Sequence, residues 1–127
     1  MENVIRYMNK RIAELLAPLR VGYGEPVDYK GLEAYAVVRW PRYTKDSGVR
    51  SRKEELRGQI EIYSRETNLY ALSDRVVSFI KGLRHKFALD NGQIVEVVGE
   101  PEANLLELEG WNKAHIVFQL RTLNKEE

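Results

Sequence analysis

The chain contains no cysteine, which excludes disulfides, thiolate nucleophiles and cysteine-ligated zinc, and leaves the compartment undetermined. It has only two histidines, His85 and His115, with no HxxxH or HExxH pairing, so the residues give no metal-site spacing. Neither charge sign dominates: 20 Lys and Arg stand against 19 Asp and Glu, so no whole-molecule field steers the chain to nucleic acid or an anionic membrane. No apolar run approaches the roughly 18 residues of a membrane span, and the N-terminal stretch carries charges throughout, unlike a secretion signal. These absences predict a soluble protein made in the cytoplasm, without membrane contact. No repeat or low-complexity segment is visible. The 127 residues, 43% of them hydrophobic, fit one domain with one core, spanning 1–127.

Hydrophobic periodicity supplies the elements. Val4, Ile5, Met8, Ile12, Leu15, Leu16 and Leu19 recur at helical spacing, and Pro18 ends that helix near Ala17. Gly22 and Gly24 open an irregular segment with a short strand at 21–23. Ala34 to Trp40 reads as a strand closed by Pro41, which cannot donate to a sheet ladder. Leu56 to Leu83 then changes period. Leu56, Gly58, Ile60 and Ile62 alternate with Arg57, Gln59, Glu61 and Tyr63, as in a strand with one covered face. Leu69, Leu72, Val76, Phe79, Ile80 and Leu83 follow at helical spacing, with Thr67 and Asn68 as candidate N-caps. Asp90, Asn91 and Gly92 mark a hairpin between 87–89 and 94–98. Glu100 to Gly110 reads as an acidic loop, and Trp111 to Leu123 alternates as the clearest strand. The expected fold is α+β: a mostly antiparallel sheet of four to five strands, two helices packed on one face, and a long charged hairpin loop.

That hairpin, 42–57, carries six cations (Arg42, Lys45, Arg50, Arg52, Lys53 and Arg57) and three acids, with only Val49 and Leu56 aliphatic. So little apolar area cannot offset the entropy of ordering, which predicts a mobile excursion; 124–127 reads as a frayed tail.

Catalytic chemistry is thinly represented. His85 falls where a helix ends and His115 on the polar side of a strand, both ordinary structural positions. The acids between Glu100 and Glu109 match no calcium loop, and Gly22, Gly24 and Gly31 are followed by no GK[ST]. Glu61 in QIEIYS has the setting of a metal-dependent nuclease carboxylate, but Tyr63 stands where a lysine is needed to orient the attacking water. The residues thus imply no enzyme, cofactor or metal. An alternative is a small nucleic-acid-binding or metal-dependent nuclease domain using the basic hairpin and Glu61.

The order of a leading helix, an AYAVV strand, a long polar hairpin, a QIEIYS strand, an LYALSDRVVSFI helix and a closing strand resembles the tail terminators of long-tailed phages. These comprise the lambda-type terminator and related tail-completion, or head-to-tail joining, proteins, and the resemblance covers nearly the whole chain. The hairpin signal at 87–98 departs from that plan. The resemblance implies a non-enzymatic virion protein of the head–tail junction, assembled in the host cytoplasm. It implies a homohexameric ring that caps the tail tube, stops polymerisation, and meets the tail tube protein below and a head connector or stopper above. Arg42, Lys45, Arg50, Arg52, Lys53 and Arg57 are the candidate contacts with the tube, or non-specifically with DNA passing through the channel. Gln59, Glu61, Tyr63, Lys113, His115, Gln119 and Arg121 are the candidate subunit interface.

Overall fold

The computed structural model describes residues 2–17, 19–24, 33–46, 52–65, 69–83, 87–89, 93–108 and 110–124, giving the backbone alone at 2, 42–46, 52–54, 87, 108, 123 and 124. Two helices, α1 (Glu2–Leu16) and α2 (Tyr70–Gly82), accompany six strands: β1 (Arg20–Tyr23), β2 (Ala34–Asp46), β3 (Arg52–Ser64), β4 (Phe87–Ala88), β5 (Ile94–Leu108) and β6 (Trp111–Asn124). The strands form one sheet in the order β1-β2-β3-β6-β5-β4, parallel only between β1 and β2. The fold is therefore α+β and mostly antiparallel, with five strands of four or more residues and the two-residue β4 at one edge. No described helix is long and apolar enough to cross a membrane.

The core follows from two periodicities meeting. Val4, Met8, Ile12 and Leu16, four residues apart on α1, are fully buried. They join Leu69, Val76, Ile80 and Leu83 from the α2 region and the even-numbered strand residues Ala36, Val38, Leu56, Ile60, Ile62, Ala114, Ile116, Phe118 and Leu120 in one cluster. Register places Leu56 opposite Leu120, Ile60 opposite Ile116 and Ile62 opposite Ala114, so three central strands point the same alternate side chains into that cluster. Each such side chain contributes about 1.5–3 kcal/mol before entropy. Helix α2 is turned slightly from its expected stripe: Ser73, Val76 and Ile80 are its buried residues, and Leu72 and Phe79 are only half-buried. Leu69 occupies its N-cap without a side-chain cap bond, and Thr67, Asn68 and His85 lie outside the described residues.

Two segments depart from their expected form. The charged hairpin is a continuation of the sheet: β2 and β3 stay paired from Arg42 opposite Arg57 to Asp46 opposite Lys53, while 47–51, including Arg50, lie outside the described residues. Pro41 does not end β2. It falls in the register shift between Arg39 and Arg42, an irregularity that absorbs a missing donor, after which pairing resumes. On the other side β6 pairs with β3 as far as Asn124 opposite Arg52, so cross-strand neighbours on both sides support a segment whose own composition argued for a loop. Residues 125–127 lie outside the described residues.

The acidic stretch after Glu100 is likewise strand rather than loop. Residues Glu102 to Leu108 pair with Val117 to Trp111, after a register shift between Val98 and Glu102. Gly99, at φ +71°, provides the left-handed conformation in that irregularity, so the glycine and Pro101 that read as breakers mark a bulge within a longer strand.

Candidate interaction site on the polar sheet face

Strand alternation sends the odd-numbered residues of β3 and the central part of β6 to the side of the sheet opposite the hydrophobic cluster. All seven candidate interface positions form facing or diagonal neighbours there: Tyr63 lies opposite Lys113, Glu61 opposite His115, Gln59, opposite Val117, is diagonal to both His115 and Gln119, and Arg121 follows Gln119 on β6. These positions thus share one side of the sheet.

Its centre is not an open polar patch. Glu61 is only 5% exposed. Arg39 Nη1 donates to its Oε1 at 2.8 Å; Tyr63 Oη donates to Oε2 at 2.6 Å, and Lys113 Nζ lies 2.8 Å from the same oxygen. Burial by itself would raise the Glu61 carboxyl, but the hydrogen bonds of Lys113 and Tyr63, with the charges of Lys113 and Arg39, outweigh it and hold the carboxyl below its usual range. The hydrogen bond to Glu61 raises Lys113 against its own desolvation, and burial together with the Glu61 bond raises the Tyr63 phenol. All three groups are thus fixed in their ordinary neutral-pH states, Glu61 and Lys113 charged and Tyr63 protonated. The arrangement suits a rigid structural pair rather than a proton donor or acceptor.

Aromatic rings extend this network toward one end of the face. Tyr35 stacks on Tyr63 with centroids 4.8 Å apart, and Trp111 meets Tyr35 edge-on at 5.6 Å. Arg65 lies 4.5 Å over the Trp111 ring and Lys113 5.3 Å from the Tyr63 centroid, so cations cover both aromatics. At the other end, Gln119 donates to Glu55 at 3.2 Å, and Arg121 bridges Glu55 at 3.4 Å and Glu96 at 3.5 Å.

Sequence reasoning missed Arg39, Tyr35, Trp111, Arg65, Glu55 and Glu96 as parts of this surface. Period-two alternation from the buried Ala36 and Val38 assigns Tyr35 and Arg39 to the polar side, so that signal was present. The contribution of Glu96 depends on the β5–β6 register and was not legible locally. Among the candidate tube contacts, Arg57 is exposed, Arg42, Lys45, Arg52 and Lys53 have described backbone on the extended ladder, and Arg50 lies outside the described residues.

No protein-family model and no curated protein matches the sequence. Solved structures do. One chain superposes over 100% of this sequence and 99% of its own with a TM-score of 0.60 at 9% identity. Another, from the virion of a native gene transfer agent particle, superposes over 89% of this chain and 84% of its own with a TM-score of 0.54 at 13% identity. The likeness is one of fold. For the first of these chains it spans the whole sequence, so it is not a local motif.

Proposed function

We propose that this chain is a non-enzymatic structural protein of a phage-type virion, a tail terminator. It caps the tail tube as a homohexameric ring, stops tube polymerisation, and presents the surface to which the head connector or stopper attaches. The observation that carries the reading is the fold shared with a chain of a gene transfer agent virion over 89% of the sequence, added to the resemblance in segment order from the leading helix to the closing strand. The protein then resides at the head–tail junction and passes through the host cytoplasm during assembly.

In this reading the extended β2–β3 ladder is the docking arm. It brings Arg42, Lys45, Arg52, Lys53 and Arg57 to one end of the sheet for contact with the tube or with DNA in transit, and Arg50 is assigned the same contact from the sequence. The polar face supplies a subunit contact through Gln59, Tyr63, Lys113, His115, Gln119 and Arg121. Glu61 has a different task from the one its exposure pattern in sequence suggested: it anchors Arg39, Tyr63 and Lys113 in place from beneath. That same engagement weighs against the nuclease alternative, because a metal at Glu61 must first displace two cations and a phenol hydrogen bond.

Electron microscopy of tail tubes incubated with the protein tests the proposal. The expected result is a terminal ring and a narrowed length distribution. Tubes that acquire no ring and keep growing sink it. Charge reversal at Arg50 and Arg52 separates the arm from the fold: the variant should keep its melting temperature and lose tube capping, and normal capping by it removes the arm from the mechanism.

A further inference from the structure

The two ends of the sheet are unlike each other. Strand β4 pairs only with Ile94 and Val95, so among the described residues the rest of β5 has no strand on its outer side. The second half of β5, from Glu102 to Glu107, is exposed at every position. It presents Leu105 (41% exposed) and Leu106 (48%) on opposite sides of the strand, next to Tyr70 (66%) at the start of α2. No Lys or Arg occurs from Glu96 to Leu108, whereas Glu96, Glu100, Glu102 and Glu107 do. Long edge strands with exposed leucines are normally blunted or covered, because an unpaired strand edge is a template for another strand. The bulge at Gly99 and Pro101 blunts only the middle of β5.

The opposite end is β1, only four residues long and, among the described residues, paired on one side alone, with α1 alongside it. A shallow groove there is lined by Ile5, Arg6, Asn9 and Tyr23. Tyr23 is 47% exposed, and Arg6, Lys10 and Arg20 are exposed around it. One edge is thus apolar and acidic, the other apolar and basic, and they terminate the same sheet.

We propose that the second half of β5 in one copy seats against the α1–β1 edge of the next copy, extending the sheet from subunit to subunit. Leu105, on the helix side of β5, meets the groove around Ile5 and Tyr23 with Glu107 beside Arg6, while Leu106 and Glu102, on the other side, meet Arg20. The inference rests on the ring reading, since a contact between two different edges is head-to-tail and yields a closed ring when the rotation per subunit closes. Charge complementarity argues for a second copy as the occupant: Glu102 and Glu107 are exposed on one edge, and Arg6, Lys10 and Arg20 on the other.

The cysteine-free chain allows a direct test by disulfide trapping. Leu105→Cys mixed with Tyr23→Cys under mild oxidation should give mixed dimers, and a chain carrying both substitutions should give a ladder of covalent oligomers. Both positions are exposed, so circular dichroism and melting temperature should match the parent. Reversing Glu102 and Glu107 to Lys should lower trapping on the order of tenfold, and reversing Arg6 and Arg20 to Glu in the partner should restore it. Self-trapping of Leu105→Cys without mixed dimers means a two-fold contact and overturns the proposal. So does trapping of Leu105→Cys to tube protein instead, or no trapping on tubes that visibly carry a ring. Failure of the two readings is distinguishable: a covalent ladder with tubes left uncapped keeps this interface and sinks the terminator reading, whereas capped tubes without trapping do the reverse.

Discussion

Gly58 and Phe118 offer the most direct probe of the packing between the two central strands. They face each other in the β3–β6 register, and the Phe118 ring lies across the glycine. A Cβ placed on Gly58 would stand 2.3 Å from Phe118 Cζ and 2.7 and 2.8 Å from Cε1 and Cε2. Ordinary contact between carbons is about 3.5–4 Å, so the ring must withdraw by roughly 1 Å. It has little room: Phe118 is buried, and Trp40 meets it edge-on at 5.5 Å while donating from its indole nitrogen to Asn9 Oδ1 of α1 at 3.0 Å. Overpacking of this kind costs about 1–3 kcal/mol, against about 0.5–1 kcal/mol recovered by removing a glycine from a strand. Gly58→Ala should therefore destabilise by about 1–2 kcal/mol, a fall in Tm of roughly 3–10 °C for a domain of this size. Urea denaturation should show a lower midpoint with an unchanged slope. Phe118→Leu removes all three of the close atoms, so in that background Gly58→Ala should be neutral or stabilising, a coupling of about 1–3 kcal/mol in the double-mutant cycle. A cost that is the same in both backgrounds, or a parent Tm unchanged by Gly58→Ala, refutes the packing argument.

Ile60→Asp places an unpaired charge in the centre of the cluster and should leave the protein insoluble or without cooperative melting, whereas Phe79→Asp, at a half-buried site with the Arg11 guanidinium 5.2 Å from its ring, should fold with reduced stability; soluble Ile60→Asp with the parent Tm shows the core register to be wrong. Glu61→Gln keeps the shape but leaves Arg39 and Lys113 without their anion and should cost about 1–3 kcal/mol, below the usual loss for a buried pair because Arg39 is half exposed. The folded Glu61 carboxyl is depressed, so its contribution is present above the unfolded pKa of about 4.3 and disappears as pH falls through the folded value; Lys113 is raised, so its contribution is present below about 10.4 and disappears as pH rises through its folded value. Urea midpoints between about pH 2 and 11 should thus fall at both ends in the parent and lose much of the acid-side slope in Glu61→Gln; superimposable profiles contradict the assignment.

What was legible in the sequence tracks the range of the interactions that decide each segment. The stripe of α1, the β3 alternation and β6 were readable because burial on one side imprints a local period on Val4 to Leu16, Leu56 to Ile62 and Ala114 to Leu120. Residues 42–46 and 52–57 of the hairpin and 100–108 of the acidic stretch were misread because their own composition is polar and they are strands only by virtue of neighbours. Arg42 to Asp46 pair with Arg57 to Lys53, which are held in turn by β6, and among the described residues Glu102 to Leu108 are held by β6 alone. Pro41, Gly99 and Pro101 carry true information about ladder irregularity that a linear reading converts into ends of strands. Glu61 shows the same limit for the site. Its place in the alternation identifies the face correctly, yet only the juxtaposition of three strands reveals that Arg39 and Lys113 cover it.

That distinction bears on how the two surfaces can act. On the polar face the charges are already matched within one subunit: Glu61 holds Arg39 and Lys113, and Arg121 joins Glu55 and Glu96. A neighbour docking there meets a surface whose internal pairs it must desolvate without supplying a missing partner, so such a contact adds shape and specificity more than affinity. The β5 and β1 edges differ. In the proposed contact their exposed leucines and tyrosine lose water, and Glu102 and Glu107 meet Arg6 and Arg20 across a boundary between copies. If a ring forms, the edges are therefore where its affinity should reside, and the polar face is where its register should be read.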